Sequence, residues 1–164
     1  MTVYITDANI FIDLHYSGLL GLVPRLGLSL VTTQLVVDEL NPSQQADLQA
    51  LMAENAVEIC EITIEEIRDL RLPAGLSLPD RSVICLAVRE NGVLLSGDGL
   101  VRRTAGNFGL DVRGLLWLFD EFVSSSVIAP LDAAQKLRFL VDEKGSRQPA
   151  SEVNIRLEKW LKNL

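Results

Sequence analysis

Short β-prone runs alternate with helical patterns along most of the chain, and this alternation constrains the fold more than any other feature of the sequence. Val3 to Thr6 is β-prone, and Ile10, Phe11 and Leu14 then give helical spacing up to Gly18. An apolar piece from Leu19 to Leu26 is broken by Pro24, and Leu28 to Thr32 is again β-prone. Thr33 is placed to cap a helix through Leu40, which stops at Asn41-Pro42 because the residue before a proline is pushed out of the helical region. A helix from Ser43 to about Glu54, a strand from Val57 to Ile62 and a helix from Thr63 to Leu70 follow, and Leu72 to Pro79 reads as a loop. Asp80 is expected to open a helix with Val83, Ile84, Ala87 and Val88 on one face, ending at Asn91-Gly92. Val93 to Ser96 reads as a strand, Asp98 as the start of a helix through Ala105, Leu110 to Arg113 as a last strand and Leu115 to Phe122 as a helix. Strands alternating with helices predict an α/β fold with a mainly parallel sheet covered on both sides.

Two further helical patterns, Asp132 to Glu143 and Ser151 to Leu164, are joined by the polar stretch Lys144 to Ala150. The second places Val153, Leu157, Trp160, Leu161 and Leu164 on one stripe, expected to dock on the same domain, with another chain as the other reading. The reading is therefore a domain over residues 1–123 and a helical C-terminal extension over 124–164. At 164 residues the chain has the size of one compact unit.

Composition removes several kinds of chemistry. With His15 the only histidine, and Cys60 and Cys85 apart in apolar segments, a His/Cys zinc site, a disulfide framework and a His-dependent nucleophile triad have too few residues. His15 reads as a structural or surface residue and both cysteines as buried thiols. No apolar run reaches membrane-spanning length and MTVYITDAN does not begin like a signal peptide, so a cytoplasmic protein is expected. The net charge of -7 argues against nucleic-acid binding by bulk electrostatics alone. The charge is uneven: residues 1–80 hold 12 acidic and 3 basic side chains, residues 81–164 hold 10 and 12, which allows an acidic centre with a basic flank. Any catalysis must come from carboxylates.

The acids fall where such a fold puts its sites. Asp7 follows the strand VYIT, and Asp98 follows VLLS after one glycine, so both emerge at the carboxyl ends of parallel strands. A carboxylate there also serves as a helix cap, and for any one of these acids that reading stays open. Glu39 stands on the apolar face of its helix, following Leu35 and Val36, with Asp38 turned further round. An inward carboxylate is costly unless compensated, and several together repel one another unless a hard divalent cation takes their oxygens. Asp13 reads as a surface acid.

The stretches ITDANIFIDL, TTQLVVDEL, LPDRSVICLAVRENG and VLLSGDGLVRRTA resemble, in order and spacing, the four acidic motifs of the PIN-domain ribonucleases. The resemblance covers about residues 1–123, and the tail resembles the extension of a PIN subgroup found beside small antitoxins. It implies a three-layer α/β/α sandwich and a metal-dependent endoribonuclease that hydrolyses RNA, a toxin silenced by a small antitoxin protein. It also implies Asp7, Glu39, Asp80 and Asp98 as a catalytic cluster holding Mg²⁺ or Mn²⁺, with Asn9 and Ser96 as supporting neighbours and no protein nucleophile. Asp7 is the expected central ligand, Glu39 and Asp98 complete the cage, and Asp80 serves a second ion or a metal-bound water. The four are expected within carboxylate-bridging distance. Asn9 would brace Asp7; Ser96 would orient a ligand, touch phosphate or only satisfy the strand end. Arg102 and Arg103 would hold RNA phosphates, the solvated helix face being the other reading. Pro79 and Arg81 around Asp80, and glycines on both sides of Asp98, depart from the usual pattern and make a fifth metal-site acid unexpected.

Other classes fit less well. A haloacid-dehalogenase-type phosphotransferase wants Asp-x-Asp where Asn9 stands, and a phosphoreceiver wants a late lysine, absent from residues 72–135. A catalytically inactive PIN-like interaction module is the remaining alternative. A hydrophobic content of 48% with 5% aromatic leaves many aliphatic side chains to bury, and a homodimer is expected.

Overall fold

The carboxyl end of β1 is the pivot of the architecture. The structure is a computed structural model describing residues 1–162; Leu164, assigned above to the last apolar stripe, lies outside the described residues. Strand β1 (Val3–Thr6) leads into α1 (Ala8–Tyr16), a 3-10 helix (Leu20–Leu26) and β2 (Ser29–Thr33). Helices α2 (Gln34–Glu39) and α3 (Pro42–Ala53), strand β3 (Val57–Cys60), and helices α4 (Ile64–Asp69) and α5 (Leu78–Glu90) follow. The chain then forms β4 (Val93–Leu95), α6 (Gly99–Asn107), β5 (Val112–Arg113), α7 (Leu115–Ser124), α8 (Pro130–Asp142) and α9 (Ala150–Leu161). The five strands are all parallel in the order β3-β2-β1-β4-β5, with helices on both sides. Ile5 pairs with Val31 on one side and Leu94 on the other, so strand order reverses between β1 and β4. At such a switch point the flanking connections diverge and leave a crevice at the carboxyl ends of the strands.

Local chemistry sets the boundaries. Asn41 caps α3 in a reciprocal box with Gln44, and Pro42 occupies the first turn, where its missing N–H is no loss. The proline that starts α3 thereby limits α2 to six residues. Helix α5 opens at Leu78 rather than Asp80: Ser77 is its cap, and Asp80 is the third residue of the helix, returning the hydrogen bond. Pro24, which breaks the apolar piece before β2, is held within the 3-10 helix, whose Leu20 and Val23 are buried. Strand β3 stops at Cys60 and β5 has only two residues, both shorter than their β-prone runs.

Ser82 to Ala87 of α5 are all buried, and Asn91, in the left-handed region, ends that helix. Gly92 follows because a Cβ there would lie 2.4 Å from Ile5 Cδ1 and 2.6 Å from the Val3 carbonyl oxygen. The extension shares the main core: Ala133, Ala134, Leu137 and Leu140 of α8, and Val153 and Trp160 of α9, join the same hydrophobic cluster as Ile5 and Leu94. Trp160 stacks on buried Phe119 of α7 at 6.2 Å, and Arg156 makes a two-pronged ion pair with Asp120. The apolar stripe of α9 thus docks on its own chain. Cys85 is buried and Cys60 only half-buried, because β3 is an edge strand; burial pushes both thiols up. His15 pairs with Asp47 at 2.6 Å on the surface between α1 and α3. No helix among the described residues is long and apolar enough to cross a membrane.

Candidate active site

Asp7 is both a continuation of the sheet and a helix cap. Its N–H donates to the Leu95 carbonyl at 3.2 Å, extending the contact between β1 and β4, while its Oδ1 accepts from the Ile10 N–H at 3.0 Å and caps α1. The two roles fix the carboxylate at the switch point, where it is only 4% exposed. Burial pushes its pKa up to about 6; the Ser96 hydroxyl and the Ile10 N–H oppose the shift, and the charges of Asp80 and Asp98 add to it. No basic side chain forms an ion pair with Asp7 among the described residues.

The neighbours come from three other segments. Ser96, fully buried just after β4, accepts from the Asp98 N–H at 3.2 Å, which leaves its own proton for Asp7. Asp98 caps α6 by accepting from the Val101 N–H at 2.9 Å, and its side chain is exposed. Asp80, half-buried in the first turn of α5, accepts from the Ser77 N–H at 3.4 Å. Its charge acts on Asp7 and on Glu39. The structure therefore gathers Asp80 and Asp98 around Asp7, with Glu39 beyond Asp80.

Several expectations need correction. Glu39 does not point inward: α2 ends at this residue, its carboxylate is exposed, and partial burial followed by the Asp80 charge raises its pKa. The four acids do not form a ready cage, since among the described residues no three His, Cys, Asp or Glu side chains are grouped to hold a metal ion. The reason is local: Asp7, Asp80 and Asp98 each turn an oxygen toward a helix N-terminus, and their like charges repel one another. Asn9 is exposed and lines the cleft, while the bracing of Asp7 comes from Ile10 and Ser96. Arg102 donates to the Ser96 carbonyl at 2.8 Å, and Arg103 lies back against Gly99. Arg81 is a rivet for the preceding loop, donating to the Leu76 and Pro73 carbonyls.

Asp13 is not a surface acid. It is half-buried, lines the same cleft as Asn9 and Asp98, and accepts from the Ser146 hydroxyl at 3.0 Å; burial raises its pKa and that hydrogen bond opposes the rise. Its placement on α1 six residues after Asp7 was readable, but its partner on the extension was not.

A parallel sheet with helices on both sides and a buried carboxylate at its switch point, on which the charges of two more acids act, defines an α/β protein with an acidic crevice at its strand ends. The family model described as DUF3368, PIN domain, matches residues 3–161, and the chain belongs to the PIN-domain family. That match runs through the extension as well as the sheet. PIN domains are generally nucleases. Among solved structures the chain is similar to a PilT N-terminus domain protein from the hyperthermophilic archaeon Sulfolobus solfataricus, with 14% identity and a TM-score of 0.47 over 76% of this chain and 93% of that one. No curated protein matches the sequence.

Proposed function

We propose that the chain is a divalent-metal-dependent endoribonuclease acting on single-stranded RNA. The observation that carries this reading is Asp7, a buried carboxylate held by backbone on both sides, lacking a basic partner among the described residues and facing Asp80 and Asp98. Burial, and then the charges of Asp80 and Asp98, raise its pKa, and a bound cation would offset both. The donor set consists of carboxylate oxygens, which suits a hard cation such as Mg²⁺ or Mn²⁺ and not zinc or copper. Asp7, Asp80 and Asp98 would hold the ion, with Glu39, exposed at the end of α2, as a fourth carboxylate. When bound, the ion supplies an activated water for attack on a phosphodiester and neutralises charge on the departing oxygen. Ser96 keeps Asp7 oriented, and Asn9 and Arg102 face the substrate side of the cleft.

The test is cleavage of a labelled single-stranded RNA with Mg²⁺ or Mn²⁺ and with excess chelator. Cleavage is expected only with metal, and Asp7→Asn is expected to lower it by about a thousandfold, the scale of a lost charge-stabilising group. Equal cleavage in chelator, or by a scrupulously purified Asp7→Asn protein, would refute the reading. The dispersed carboxylates favour one second reading, a PIN-like module that binds protein and does no chemistry. Under that reading Mn²⁺ leaves the melting temperature unchanged.

The resemblance to the toxin group supports a finer proposal, in which a small antitoxin protein silences the enzyme and the enzyme works as a homodimer in the cytoplasm. Co-expression with the neighbouring small gene should relieve toxicity and co-purify the partner, and light scattering should give twice the chain mass.

A further inference from the structure

The cleft beside the carboxylates is closed on its far side by the extension. It measures about 520 Å³, with Asn9, Asp13 and Asp98 on one wall and the turn Lys144 to Gln148, between α8 and α9, on the other. That turn is held in several ways. The Ser146 N–H donates to the Leu140 carbonyl at 2.9 Å, and the Ser146 hydroxyl donates to Asp13 Oδ2 at 3.0 Å. The Gln148 amide donates to the Ser146 hydroxyl at 3.1 Å, and Lys144 Nζ lies 4.4 Å above the Tyr16 ring. A second cleft of about 380 Å³ shares Gly97, Arg147 and Gln148 with the first and carries Arg102, Arg113, Arg147 and Arg156. With Glu152 the one acid among its described lining residues, and Arg156 paired to it, the cleft is still locally basic in a chain of net charge -7.

Three of those arginines are partly engaged: Arg102 with the Ser96 carbonyl, Arg113 with the Val112 carbonyl, and Arg156 with Asp120 and Glu152. Arg147 is exposed and makes no side-chain hydrogen bond or ion pair among the described residues. A polyanion that must approach carboxylates needs cations next to them, and a planar guanidinium suits a phosphate. Trp117, half-buried and stacked on Tyr4 at 5.3 Å, also lines this cleft, and clefts of this size admit one strand rather than a duplex.

We infer that the two clefts form one track for the backbone of single-stranded RNA, in which Arg147 contacts a phosphate flanking the one at the carboxylates and Asp13 positions the turn through Ser146. The inference rests on the ribonuclease reading for its substrate. Its test is nevertheless made without cleavage, by titrating the full chain with a labelled 12-nucleotide RNA in chelator over a range of salt. Arg147→Ala is expected to weaken binding by about fivefold and to flatten the dependence of log Kd on log salt by ~0.7, the value of one phosphate contact on a single strand. Arg25→Ala, an exposed arginine outside both clefts, is the control and should do neither. Asp13→Ala should weaken binding, whereas Asp13→Asn, which keeps an acceptor for Ser146, should hold or tighten it.

Arg147-dependent binding by a chain that never cuts RNA would leave this inference standing and remove the nuclease reading. Cleavage by a chain whose Arg147→Ala variant matches the Arg25→Ala control would overturn the inference alone. Tightening in both Asp13 variants would overturn the positioning role, leaving Asp13 as mere repulsion. Arg147-dependent capture of a polyglutamate peptide, with no RNA bound, would overturn the RNA assignment.

Discussion

Asp7 carries the sharpest energetic statement in the molecule, because its carboxyl is pushed from 3.8 to about 6, chiefly by burial. The folded protein therefore holds this proton more tightly than the unfolded chain. As pH rises from 3.8 to 6 the unfolded chain loses the proton first, stability falls through that window, and the whole penalty persists above it. At ~1.4 kcal/mol per pKa unit the penalty is about 3 kcal/mol. Asp7→Asn keeps an oxygen for the Ile10 N–H and removes the charge. In chelator at pH 8 the variant should be more stable than the natural chain by about 2–3 kcal/mol, with the difference vanishing below pH 4. Urea denaturation at the two pH values measures both, and an equally large gain at pH 3.5 would show that charge is not the cause. Asp7 was legible because a strand and a helical pattern meet at it. The exposure of Glu39 was not: the end of its helix was read to within a residue, but spacing from Leu35 and Val36 assigned Glu39 to the apolar face, and the last residue of so short a helix has no neighbouring turn to cover it. Nor was the burial of Asp13, whose partner Ser146 is 133 residues away.

At the scale of elements, the order of strands and helices was readable from periodicity and the breaker residues, and the differences lie at boundaries, one of them where a side chain does two things. Asp80 looked like a cap because an acid sits near a helix start; the true cap is Ser77, and Asp80 completes the reciprocal box while facing Asp7 and Glu39. A cap and a site acid share a position because a helix N-terminus favours negative charge of either purpose. Gly92 shows how an element junction constrains the sheet. The chain leaves α5 through Asn91 at φ 48° and enters β4 flush against β1, where any Cβ meets the Val3 carbonyl. Backbone cannot move aside as a flexible side chain would, so Gly92→Ala should force β1 and β4 apart. The expected loss is about 1–3 kcal/mol, the usual range for overpacking. It should also lower metal-dependent activity, because the same two strands carry Asp7 and Ser96. Chemical denaturation together with the RNA assay checks both, and a stable, fully active variant would contradict the close approach.

At the scale of the whole molecule, the question is whether the extension can be separated from the sheet domain. The sequence permits a boundary near residue 124, because the four acidic motifs end before it and the helices beyond it follow a turn. Packing weighs against independence. Phe119 and Phe122 of α7 are fully buried, the first under Trp160, and the inward face of α8 shares their cluster. Removing residues 125–164 would leave that face of α7 in water, at about 1.5–3 kcal/mol for each large side chain uncovered. A small domain has only about 5–15 kcal/mol of net stability to lose. The truncated chain is therefore expected to be insoluble or unfolded. Because failure to fold gives no graded measure, Trp160→Ala in the full chain is the sharper test. It should cost about 3–5 kcal/mol, as for other buried aromatics. The turn at Lys144 to Gln148 would keep its hydrogen bonds to Asp13 and Leu140, so RNA affinity in chelator should change little in the fraction that remains folded. A loss near zero on thermal or urea unfolding, with a soluble cooperative 1–124 fragment, would establish the extension as a separable unit.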